Sequence, residues 1–156
     1  LNFIQKLNYM IQALLEVYNK HMQMTITDIS AFTNEEDIWK TAEGINNSAG
    51  NLALHIVGNL NYFIGNILDN TGYVRDRDAE FSSKGIPQQE LVNLLQATNT
   101  MLSTTLSGLK DADLNNVYPI DKFGEGKTVG YVFVYLLAHL DYHLGQINYH
   151  RRLLNK

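Results

Sequence analysis

The stretch Leu136-Leu137-Ala138-His139-Leu140-Asp141-Tyr142-His143-Leu144-Gly145-Gln146-Ile147 constrains the fold more than any other part of the chain. Its apolar residues recur at helical spacing, so it reads as the middle of a long helix. His139 and His143 are four residues apart and lie one turn apart on the same helical face. Their neighbours are largely apolar, so that face points toward a core. A chain that turns two imidazoles inward in this way must cover them with further helices.

Three other segments supply that cover. Asn2 to about Met24 carries Phe3, Ile4, Leu7, Ile11, Leu14, Leu15 and Tyr18 at the helical period. Ser48 to about Leu68 does so with Leu52, His55, Ile56, Asn59, Leu60 and Phe63. Pro87 suits the first turn of a third helix, whose buried face is Leu91, Leu94, Leu95, Thr98, Met101, Leu102 and Leu106, with Gly108 as its stop. Thr128 reads as the N-cap of the fourth helix, which runs to about Leu154. The expected architecture is all-α: one domain over residues 1–156, a four-helix bundle with long connections that leave the topology open. Thr27-Asp28 reads as a turn or cap signal, and Ile38 with Trp39 as the anchor of the first crossover. Asn70 to Gly85, with Arg75-Asp76-Arg77-Asp78-Ala79-Glu80, reads as a solvated loop whose ion pairs are individually weak. Gly65 suits close helix packing. Gly58, one turn from His55, suits packing or room for a ligand.

A chain of 156 residues, 45% hydrophobic and 18% charged, can bury a core of its own. Its net charge of -4 and lack of a basic run argue against nucleic acid. Arg151 and Arg152 offset the negative end of the fourth helix's dipole. Gly44 to Leu68 carries no formal charge, but its six Asn, four Gly and one His would be costly in lipid, so no membrane span is expected. No cysteine is present, which excludes disulfides and thiolate ligands and fits a cytoplasmic location. No signal-peptide pattern is visible at the N-terminus.

The chemistry therefore rests on histidine. The fourth helix presents the stripe Val132, Leu136, His139, His143, Gln146 and His150; the second presents Leu52, His55, Asn59 and Tyr62. Two histidines at i and i+4 plus one from a neighbouring helix can give a divalent ion three nitrogen ligands and leave positions open, as catalytic zinc sites do. Imidazole ligands suit zinc, nickel, copper or iron and disfavour magnesium and calcium. The competing reading is three hydrogen-bonded histidines with no metal. His21 and His150 stand near helix ends, where cations are favoured, and His150 is also a candidate outer group of the site. Glu-x-x-His, His-Glu-x-x-His, phosphate-loop and Gly-x-Ser-x-Gly patterns are all missing.

Three segments together resemble the DinB-like superfamily of four-helix-bundle metalloenzymes. Asn51-Leu52-Ala53-Leu54-His55-Ile56-Val57-Gly58-Asn59-Leu60 looks like the family's second helix with its first metal histidine. Arg75-Asp76-Arg77-Asp78-Ala79-Glu80-Phe81 is similar to the Arg-Asp-x-Glu-Phe loop of one branch, and His139 to Ile147 resembles the family's His-x-x-x-His-x-Gly-Gln-Ile signature. The resemblance implies zinc or nickel held by His55, His139 and His143. Asn59, Tyr142, Gln146 and His150 would surround them. It also implies transfer of a low-molecular-weight thiol to a small electrophile or a related metal-assisted reaction, and, as in several relatives, a homodimer. Ala138 and Tyr142 stand where many relatives carry a second histidine, so the substrate side of the site is expected to differ. The alternative function is a dimeric, non-catalytic metal-binding module of stress response.

Overall fold

The computed structural model of the chain describes residues 9–154. Four long helical segments form its frame: α1 (Tyr9–Ser30), α2 (Ala49–Leu60), α5 (Gln88–Ser107) and α6 (Val129–Leu154). A π-helical stretch, Asn61–Asn66, carries α2 directly into the single turn α3 (Ile67–Asp69), and a short helix, α4 (Arg77–Ser82), lies across α2. Among the described residues there is no strand; Val117 and Thr128 form one isolated antiparallel bridge. No described helix is long and apolar enough to cross a membrane.

Side-chain pairs give the helix directions. α1 runs antiparallel to α5, because Ile11 meets Asp111, Asn19 meets Ser103 and Ile29 meets Gln88. It runs parallel to α6, because Tyr18 meets Phe133 and Asp28 meets Asn148. α2 with its extension is parallel to α5, through Asn61 with Thr98 and Asp69 with Thr105. α2 and α6 are antiparallel, since Phe63 lies by Phe123 just before α6 and His55 lies by His139 within it. The order is up, down, down, up. Two consecutive helices with the same direction require a connection running the length of the molecule, and residues 70–87 provide it. Leu52, Ile56, Leu60, Leu95, Leu102, Phe133, Leu136 and Leu140 fill the space between the four helices.

Local chemistry explains the helix ends. Ser48 Oγ accepts from Asn51 N at 3.2 Å and starts α2. Asn70 ends α3 in the left-handed region, with φ 50°. Thr128 Oγ1 accepts from Tyr131 N at 3.2 Å, the expected cap of α6. Trp39 donates its indole N–H to Ile86 O at 3.2 Å and lies against Gly50, pinning the first crossover beside α2. Gly65 allows close packing: a Cβ there would lie 3.2 Å from Met101 Sδ.

Two expectations are corrected. The first helix does not stop near Met24; it runs on to Ser30, and residues 2–8 of the expected segment lie outside the described residues. Thr25 and Thr27 return their hydroxyls to the carbonyls of His21 and Gln23 at 2.9 and 2.8 Å, so both are satisfied inside the helix. Asp28 is buried and takes Asn148 and Arg151 from α6. His21 therefore stands mid-helix, with Nδ1 3.3 Å from Asp141 Oδ1, and not at a helix end. The second correction concerns 70–85, which is not merely a solvated loop. Asp76 Oδ1 caps α4 by accepting from Ala79 N at 2.9 Å, and α4 drives Glu80 into the interior.

Candidate metal centre

α2 and α6 bring three imidazoles together. The offered ring nitrogens of His55, His139 and His143 all lie within 4.8 Å of one another, and the group could hold a metal ion. His55 and His143 are buried and His139 is half-buried. The ring centroids are 4.4 Å apart for His139 and His143, and 5.1 and 5.0 Å from His55 to each of them. The i,i+4 spacing accounts for the first distance; the antiparallel packing of α2 on α6 accounts for the other two.

Two of the outer nitrogens are held by hydrogen bonds. His55 Nδ1 lies 2.8 Å from Glu80 Oε2. The carboxylate accepts only, so Nδ1 carries a proton, and Nε2 is the nitrogen that faces His139. Arg75 grips the same carboxylate with Nε at 2.6 Å and Nη2 at 2.8 Å, a two-pronged, charge-assisted clamp. Burial alone would raise the Glu80 carboxyl; the bonds from Arg75 and His55 outweigh it and hold the group below its ordinary range. On the other side, Gln146 Oε1 lies 2.7 Å from His143 Nδ1 and accepts a hydrogen bond from its N–H. His143 Nε2 is then a buried acceptor with no hydrogen-bond partner. His55 Nε2 and His139 Nε2 are 3.0 Å apart, close enough to share one proton. Burial, then the neighbouring His143, His55 and Arg75, pushes His139 down to about 4, and burial lowers His143 as well. Both rings are therefore neutral near pH 7, the form in which imidazole binds a metal.

Arg75 and Glu80 are the site residues that sequence reasoning missed. The signal was Gly58. A Cβ there would overlap the Glu80 carboxylate, with Cδ only 2.6 Å away, so Gly58 makes the room through which Glu80 reaches His55. The other residues expected near the histidines are dispersed. Asn59 is buried on α2 with its Oδ1 unpartnered, and it lines a cavity of about 510 Å³ together with His55 and His139. Tyr142 is exposed, with its ring 5.2 Å from that of His143. His150 is buried but does not join the cluster; with His143 and Gln146 it lines a separate cavity of about 740 Å³. Its unpartnered Nε2, lowered by burial, has no assigned role. Asp141 faces His21 on α1, as expected of a residue two positions from each helical histidine.

Two neutral imidazoles, a third held at Nδ1 by Glu80, and a buried Nε2 on His143 without a hydrogen-bond partner form a preorganised donor set. Among curated proteins, none matches this chain. Residues 5–156 match the family model described as Protein of unknown function (DUF1572), and the chain therefore belongs to that family.

Proposed function

We propose that the protein is a metal-dependent enzyme in which His55, His139 and His143 hold one divalent ion, zinc or nickel. The observation that carries this reading is the orphaned, buried Nε2 of His143 beside two other imidazole nitrogens. The bound ion would supply Lewis acidity, lowering the pKa of a thiol or water at an open position. The chain's own residues do the rest. Glu80 and Arg75 hold the His55 tautomer and ring direction, as a carboxylate does in many histidine–metal sites. Gln146 does the same for His143. Asn59 lines the same cavity, and its buried Oδ1 has no hydrogen-bond partner. The resemblance to DinB-like proteins supports the same bundle type and a thiol transferred to a small electrophile.

The second reading is a dimeric binding module without turnover. It draws on the exposed face of α6, where Tyr131, Tyr135, Tyr142 and Tyr149 are 43%, 50%, 64% and 66% accessible. Elemental analysis of untagged protein beside His143→Ala tests the metal reading. About one equivalent of zinc or nickel in the wild type, absent from the variant, is the expected result. No metal in either protein after reconstitution overturns it. Turnover of a thiol with a model electrophile by the loaded protein then separates enzyme from module.

A further inference from the structure

The cavity on the His55 and His139 side has an unusual electrostatic character for this chain. Its wall carries Arg75, Arg77 and Lys122 and no carboxylate, although the chain as a whole has net charge -4. The three cations are not equivalent. Arg75 spends its charge on Glu80. Arg77 lies over the Phe81 ring at 5.2 Å, and neither it nor Lys122 makes an ion pair among the described residues. The acids next to them in sequence, Asp76, Asp78 and Asp121, do not line the cavity, and Asp76 is turned away to cap α4. Two exposed cations without an ion pair among the described residues thus line the same cavity as His55 and His139.

The remaining wall is aromatic. Phe63 meets Phe123 at 4.9 Å between ring centroids, and Phe123 meets Tyr135 at 5.1 Å. A cavity of about 510 Å³ lined by both aromatic rings and cations fits a small molecule with a flat or apolar body and a negatively charged end. We propose that this cavity binds a small organic anion. Its carboxylate or phosphate pairs with Arg77 and Lys122, its body lies along Phe63, Phe123 and Tyr135, and its other end approaches His55 and His139. The last clause rests on the metal-enzyme reading; the anion contact does not. Cations in the lining also favour entry, because they raise the local concentration of anions.

Binding is measured on metal-free protein, with chelator present, so that a probe cannot bind through a metal. The probes are benzoate, phenyl phosphate and the neutral isostere benzamide. Benzoate or phenyl phosphate is expected to bind several-fold more tightly than benzamide and to weaken as salt rises. Which anion binds better decides between a carboxylate and a phosphate ligand. Arg77→Gln and Lys122→Gln should each weaken the anion by about two- to fivefold, as loss of an exposed charge pair does, and leave benzamide unchanged. Equal binding of benzamide and both anions, no binding of any probe, or anion binding indifferent to both substitutions overturns the proposal. Metal content of the same two variants is expected to match wild type, so failure of the anion site is separable from failure of the metal site.

Discussion

At the scale of single residues, the site depends on what stands behind the histidines. Glu80→Gln keeps the shape and an acceptor for His55 but leaves Arg75 without its counter-charge. Metal affinity should fall about 10- to 100-fold, the usual effect of losing a carboxylate behind a ligating histidine. A competition titration against a chromophoric chelator reads this directly, and unchanged affinity would show that Glu80 has no part in the site. The pH dependence of the metal-free protein follows from the same residues. Burial holds His139 down at about 4 and lowers His143, whereas an unfolded histidine titrates near ~6.5. The unfolded state takes up protons first as the pH drops. Stability is therefore retained above ~6.5 and lost from there down to about 4. Glu80, also lowered, extends the loss at the acid end. Denaturation midpoints between pH 8 and 4 should show this decline, and His139→Gln should flatten it. The histidines themselves were legible in the sequence, because i,i+4 spacing in an apolar helix fixes where two side chains point. Glu80 was not, because alternating Arg and Asp read as a solvated surface until α4 folds back on α2.

At the scale of helices, the glycines separate by what surrounds them. Gly58 and Gly145 both stand inside helices, where Ala is favoured by roughly 1 kcal/mol. A Cβ on Gly145 meets nothing within 4 Å, so Gly145→Ala should stabilise the protein by about 0.5–1 kcal/mol. A Cβ on Gly58 displaces the Glu80 carboxylate, and overpacking of this kind costs about 1–3 kcal/mol. Gly58→Ala should therefore be destabilising overall and should also weaken metal binding, while Gly145→Ala leaves binding unchanged. Thermal melts with and without metal distinguish the two; a stabilising Gly58→Ala would mean that Glu80 has another place to go. The four helical periods were readable, since apolar spacing survives any arrangement of the helices. The end of α1 was misplaced, because Thr25, Thr27 and Asp28 favour turns when water is their alternative partner. In the fold they bond to helix carbonyls or to α6 instead. The π-helical continuation of α2 has no spacing signature either. It comes from tertiary bonds such as Asn61 Nδ2 to Thr98 Oγ1 at 2.8 Å.

At the scale of the whole molecule, the histidine site joins the ends of the chain's long-range order. α2 and α6 are far apart in sequence, lie side by side, and carry one and two of the three histidines. The connection 70–87, which must run the length of the bundle because α2 and α5 point the same way, brings Arg75 and Glu80 along with it. That crossover is dictated by helix direction and not by local propensity, so it could not be read before the pairs across the helices were known. A metal bound here would tie α2 to α6 and, through Glu80, to the crossover. Since it would bind only the folded arrangement, it must stabilise the fold by mass action, by about 2.7 kcal/mol at a hundredfold excess over its Kd. For a domain of this size each kcal/mol raises Tm by about 2–4 °C, so zinc or nickel should raise the midpoint by about 5–10 °C and chelator should reverse it. His143→Ala and His139→Ala should each abolish the shift, whereas His150→Ala, outside the cluster, should retain it. A shift that survives loss of His143, or disappears with His150, would move the binding site from the three-histidine cluster to the larger cavity beside it.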